Sequence, residues 1–165
     1  AQDNLLVYYA GHGELRNDKG YWLPVDADFE MTNWISPALI KDTLLDHPAR
    51  RTLIIADSCY SGALARGVIT PTEGRKDKKS RLVISSGGTA PVSDSADGQH
   101  SIFTRALLTT LADSSSIEDV QTLFASIRER VNDTARRAGR EQNPELAVLA
   151  EVGDEGGTYY FVRRK

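Results

Sequence analysis

Three short apolar runs decide what this chain can fold into: LLVYY at residues 5–9, TLIIA at 52–56 and RLVISS at 81–86. Each is rich in β-branched or aromatic residues and is bounded by polar or glycine punctuation, the pattern of a short strand rather than a helix. Continuous apolar runs of this kind belong to strands covered on both faces, as parallel strands are in an α/β sheet. Helical patterns alternate with them. Ser36-Pro37 pairs an N-cap with proline at the first helical position, and Ile40, Leu44 and Leu45 supply the stripe of a helix ending near His47-Pro48. A second helix is expected from Ser101 to Ala112, with Phe103, Ala106, Leu107 and Leu111 on one face. A third opens with the capping box Ser115 to Glu118, carries Val120, Leu123, Phe124, Ile127 and Val131 at a 3.6-residue period, and closes at Arg136, Arg137 and Gly139. GYWLPVDAD (20–28) holds Pro24, which makes it an edge piece or hairpin arm, and TYYFV (158–162) reads as a last strand. The alternation predicts a layered α/β domain with a largely parallel sheet.

The bulk properties narrow the function. A chain of 165 residues fits one domain spanning 1–165. No apolar run approaches the roughly 18 residues of a membrane span, so no membrane partner is expected. A net charge of −3 supplies no electrostatic footprint for a polyanion, so no nucleic acid partner is expected either. The single cysteine, Cys59, excludes an internal disulfide and suits a reducing, cytoplasmic setting. Residues 66–81, RGVITPTEGRKDKKSR, lack periodicity and hold Arg66, Arg75, Lys76, Lys78, Lys79 and Arg81, the composition of an exposed, protease-sensitive linker.

Right-handed crossovers put the carboxyl ends of parallel strands on one edge, and ligands bind in the crevice outside that edge. His12 follows the first run by three residues and Cys59 follows the second by three. Both are expected on the same rim. A thiol with a reference pKa near 8.5 is only a few per cent thiolate at neutral pH, so it needs a base. An imidazole within hydrogen-bond reach takes that proton and later returns it to a leaving amine. Gly11 and Gly13 flank His12 and let the backbone approach a peptide carbonyl, where N–H groups hold a developing oxyanion.

YYAGHG followed by ADSCYSG, with SSGGTAP after the third strand and GQHSIFTRALL opening the next helix, resembles the caspase-like clan of cysteine peptidases, nearest the metacaspase and bacterial orthocaspase branch. The resemblance implies a caspase-like three-layer sandwich, a mostly parallel six-stranded sheet flanked by helices. In that fold two strands precede LLVYYAGHG, so its first strands are expected to lie outside this sequence, either beyond it or in a separate N-terminal chain. It makes Cys59 the nucleophile, His12 the general base and acid, and the N–H groups of Gly13 and Cys59 the oxyanion hole. Asp57 falls where animal caspases place a pocket glutamine, which implies a protein or peptide substrate with Arg or Lys at P1. Ser93 and Asp94 align with the pocket wall, and loop 66–81 with the linker cut during self-processing. No cofactor is implied. Calcium regulation occurs in some relatives, with Asp26, Asp28 and Glu30 as candidates by charge alone, but one cysteine and three scattered histidines lack the spacing of a zinc site.

Other readings stay open on the sequence. Asp57 can simply hydrogen-bond the backbone of its turn, loop 66–81 can be only a solvated linker, and His47 and His100 read as structural residues at helix ends. A catalytically silent caspase-like module for binding or signalling is the alternative to a peptidase, because fold does not fix function.

Overall fold

A computed structural model of the chain describes residues 3–59, 75–87, 100–114, 117–149 and 151–163. Its elements run β1 (Asn4–Ala10), β2 (Gly13–Arg16), β3 (Lys19–Trp22), α1 (Pro37–Asp46), β4 (Arg51–Asp57), β5 (Ser80–Ser85), α2 (Ile102–Asp113), β6 (Ile117–Asp119), α3 (Val120–Arg137), β7 (Glu145–Val148) and β8 (Tyr160–Val162). The main sheet has the order β1-β4-β5-β7, with β1, β4 and β5 parallel and β7 antiparallel. This is the expected α/β architecture with a mostly parallel sheet.

The central pair carries the core. Leu53 and Ile55 of β4 and Leu82 and Ile84 of β5 pack on one face against Phe103, Leu107, Val120, Leu123, Ile127 and Val131 from α2 and α3. Ile54, Ala56 and Val83 face the other way, against Trp22 of β3 and Leu44 of α1. Burying an aliphatic side chain of this size contributes about 1.5 to 3 kcal/mol, and six of them lie on two adjacent strands, so burial fixes which layers sit on which face.

The predicted helix starts are mostly those observed. Ser36 caps α1 by accepting from the Leu39 N–H at 3.1 Å, and Ser101 caps α2 by accepting from the Thr104 N–H at 2.8 Å. The third differs. Asp119, not Ser115, is the N-cap of α3, accepting from the N–H groups of Gln121 and Thr122, while Glu118 belongs to β6. Antiparallel pairing of residues 117–119 with β8 holds that segment extended, so the helix begins only after it. The close is as expected: Gly139 has φ +68°, and the Arg140 and Gly139 N–H groups return to the carbonyls of Ala135 and Arg136, a Schellman ending.

Three more features depart from expectation. β1 is covered on one face only: Leu5, Val7 and Tyr9 pack toward Trp22 and α1, whereas Leu6 and Tyr8 are 47% and 46% exposed, because β1 is an edge strand of the described sheet. The TYYFV segment is the expected last strand, β8; the departure is in the main sheet, whose fourth position is taken by β7, which no periodicity announced, while β8 pairs with β6 outside it. The linker expected over 66–81 ends earlier, since β5 starts at Ser80 and Arg81 is buried. Its guanidinium donates to the carbonyls of Ala49, Arg50 and Ser80, which makes it a structural clasp rather than a loop cation. Residues 66–74 of that loop lie outside the described residues.

Candidate active site

The parallel register of β1 on β4 pairs Ala10 with Asp57, so His12 and Cys59 each stand two residues beyond the last paired position. The chain continues to keep them together. The Gly11 N–H donates to the Asp57 carbonyl at 3.3 Å. At Gly13 a Cβ would lie 2.0 Å from the Cys59 carbonyl oxygen and 2.6 Å from the Ser58 hydroxyl, so only glycine permits this approach of the two strand ends. A Cβ at Gly11 would meet the Tyr9 ring and hydroxyl, the latter at 2.7 Å.

His12 is held from behind through its backbone. The Tyr9 hydroxyl donates to the His12 carbonyl at 2.7 Å, the Leu23 N–H donates to the same oxygen at 3.0 Å, and the Tyr9 ring stacks on Trp22 with centroids 4.4 Å apart. Trp22 exchanges both backbone bonds with Ile35, so its pairing with Gly13 is of the non-hydrogen-bonded kind. The Gly13 N–H therefore lies outside the β2–β3 ladder.

A cavity of about 780 Å³ opens along this rim. Its polar lining comes from the ends of β1 and β4 and the start of α2: His12, Asp57, Ser58, Cys59, His100 and Ser101. Its apolar lining comes from Leu6 and from Leu107, Leu108 and Leu111 in the later turns of α2. Cys59 is half-buried. Asp57 is only 8% exposed, and its Oδ2 accepts from the hydroxyls of both Ser101 and Thr104. The Tyr8 hydroxyl completes the chain at 2.7 Å from Thr104 Oγ1. Burial pushes the Tyr8 phenol above its ordinary value; its bond to Thr104 lowers it, and the neighbouring Asp57 charge raises it further.

His12, Gly13, Asp57 and Cys59 are thus brought to one rim. Ser93 and Asp94 lie outside the described residues. His47 is structural, its Nδ1 accepting from the Ala49 N–H at 3.2 Å. His100, expected as a structural residue ahead of a helix, instead lines the cavity, because it immediately precedes the Ser101 cap that reaches Asp57. Tyr8, Ser101 and Thr104 were not singled out as site residues either. The signal available for the last two was the Ser-x-x-Thr spacing, which puts both hydroxyls on the first turn of a helix opening at the strand rim. Among the described residues no three His, Cys, Asp or Glu cluster as a metal site, and the Asp28 carboxylate closes a turn by accepting from the Thr32 hydroxyl and N–H. No described helix is long and apolar enough to cross a membrane.

Comparison with known proteins bears on both fold and family. The chain is similar in structure to caspase-1 from Spodoptera frugiperda, with a TM-score of 0.61 and 18% identity over 89% of this chain and 61% of that one. It is similar to a protein from Geobacter sulfurreducens at TM-score 0.54 and 18% identity, covering 87% and 65% of the two chains, and to pro-sf-caspase-1 at 0.51 and 20%, covering 89% and 62%. The chain therefore spans less than two thirds of the length of these structures. No curated protein matches it by sequence. The family model of the caspase domain matches residues 1–150, so the chain belongs to the caspase domain family.

Proposed function

We propose that this domain is the catalytic part of a cysteine endopeptidase that cleaves after Arg or Lys in protein or peptide substrates. The observation that carries the reading is the common cavity lined by His12, Asp57 and Cys59 at the ends of two register-matched strands, in a chain of the caspase domain family. Cys59 Sγ transfers its proton to His12 and attacks the scissile carbonyl carbon. The oxyanion is received by the N–H groups of Gly13 and Cys59, a contribution worth roughly 3 to 4 kcal/mol per donor in related acyl transfers. His12 then protonates the leaving amine as the C–N bond breaks. Water, activated by His12, hydrolyses the thioester and regenerates the thiol.

Asp57 supplies the negative charge that selects a cationic P1 side chain, since a cation entering a half-desolvated cavity needs a paired carboxylate. A reducing, cytoplasmic setting fits a thiol that must stay unoxidised. Self-processing in the basic loop belongs to the same reading, with Arg66 and the exposed Arg75 as its cations, because Arg81 is buried in β5 and the carbonyls of Lys76, Asp77 and Lys79 are engaged by neighbours.

The test uses fluorogenic peptides ending in Arg, Lys or Asp with wild type and Cys59→Ala side by side. The expected result is turnover of basic peptides by wild type and loss of it in Cys59→Ala. Turnover surviving in the variant removes Cys59 as the nucleophile. Wild type inert toward every peptide leaves the silent binding module. A preference for Asp removes only the role of Asp57.

A further inference from the structure

We infer that Ser101 and Thr104 are positioning residues that make Asp57 a one-oxygen acceptor and thereby set how the site divides Arg from Lys at P1. This rests on the reading of Asp57 as the seat of the P1 cation.

A carboxylate offers about four lone-pair sites, two on each oxygen. Here both hydroxyls converge on Oδ2, so that oxygen has its two sites filled. The arrangement is ordered from both sides. Ser101 Oγ accepts from the Thr104 N–H at 2.8 Å, which directs its own hydrogen to Asp57. Thr104 Oγ1 gives its single hydrogen to Asp57, so the Tyr8 hydroxyl 2.7 Å away must be the donor to Thr104. Such a chain of donors polarises each successive bond and holds the carboxylate in one rotamer. Among the described residues no other hydrogen bond reaches this carboxylate, which leaves Oδ1 available to a cation in the cavity.

The consequence follows from the geometry of the two cations. A guanidinium gains over an ammonium mainly where it engages both carboxylate oxygens with its planar fork, whereas an ammonium is a point charge satisfied by one oxygen. With Oδ2 taken, Arg is reduced to an end-on contact and its advantage over Lys contracts. Removing either hydroxyl reopens a site on Oδ2 and restores the fork.

The experiment measures kcat/KM for three peptides identical except for Arg, Lys or citrulline at P1, with wild type, Ser101→Gly, Thr104→Val and Thr104→Ser. Glycine is chosen at 101 because it retains most of the N-cap free energy, and valine at 104 because it keeps the shape. The Arg-to-Lys ratio is the readout, since it cancels any loss of folded or active enzyme common to both peptides. Wild type should accept Arg and Lys within about tenfold of each other, Ser101→Gly and Thr104→Val should raise the ratio by about 5- to 10-fold, and Thr104→Ser should leave it unchanged. An unchanged ratio in both deletion variants overturns the inference. So does a wild-type preference for Arg above about a hundredfold, which decides the matter even if neither variant folds. Asp57→Asn separates the two levels: if it fails to lower Arg turnover relative to citrulline, the seat of the P1 cation is wrong and the underlying reading falls.

Discussion

Gly13 of β2 lies so close to the carbonyl of Cys59 that a methyl group at position 13 would stand 2.0 Å from that oxygen. The contact joins the two strand ends that carry the imidazole and the thiol, and the atom met is backbone, which cannot rotate away. Gly13→Ala should therefore lower kcat/KM by about 10²- to 10³-fold, the scale of losing one oxyanion donor, while far-UV circular dichroism stays that of wild type. Activity within a factor of about three of wild type would show that the rim tolerates separation of the two ends.

Tyr9 presents a different kind of support, since its hydroxyl donates to the His12 carbonyl at 2.7 Å and the residue does not line the cavity. Tyr9→Phe keeps the stack on Trp22 and removes the anchor. Stability should fall by about 1 to 3 kcal/mol, because the hydroxyl also accepts from the Leu23 N–H at 3.1 Å and lies 3.0 Å from the Leu23 carbonyl. Misplacement of the base should lower kcat by about tenfold with KM changed by no more than about twofold, a split that a merely structural loss would not produce.

The backbone of residues 76–79 is engaged by its neighbours: Arg51 donates to the Lys76 carbonyl at 2.6 Å, Arg50 to that of Asp77 at 2.8 Å, and the Gly157 N–H to that of Lys79 at 3.0 Å. A peptidase needs an extended, unpaired segment, so the bonds after Lys76, Lys78, Lys79 and Arg81 should resist trypsin and self-cleavage alike in the native protein. Mass spectrometry of native digests checks this, and early fragments ending at Lys79 or Arg81 would contradict the clasp.

Arg81 is also a stability determinant. Its guanidinium donates to three carbonyls around the start of β4 and β5, and its backbone N–H is bound by Asp154 at 2.8 Å. Arg81→Met should destabilise the domain by about 2 to 4 kcal/mol in urea denaturation, because it strands buried acceptors. Arg81→Lys should recover only part of the loss, lacking the planar fork.

Alkaline pH should weaken the fold. Burial raises the phenols of Tyr8, Tyr9, Tyr159 and Tyr160 above 10.0. The folded state then binds protons more tightly than the unfolded chain, so stability is intact below pH 10, falls as pH rises past 10, and continues to fall until the folded phenols ionise. Thermal melts from pH 9 to 11.5 should show Tm dropping only above about 10, with the phenolate absorbance of the native protein titrating later than that of the unfolded chain.

The sequence by itself determined the strand runs, the Ser36 and Ser101 caps, the Gly139 close and the placement of His12 and Cys59 just past two strand ends. These are local matters of periodicity, capping chemistry and spacing. The spacing was informative because the register that sets Ala10 against Asp57 leaves His12 and Cys59 each two residues past the last pair, an offset already present in the two motifs. Tertiary structure decided what depends on partners distant in sequence. Leu6 and Tyr8 line a cavity instead of a core because β1 lies at the edge of the described sheet, a relation its own residues do not encode. Asp119 became the cap of α3 because β8, some forty residues later, holds residues 117–119 extended; Ser115 lies outside the described residues. Asp57 acquired its two hydroxyl donors from a helix start 44 residues away, which is why its role as one-oxygen acceptor became visible only once α2 was docked on the rim.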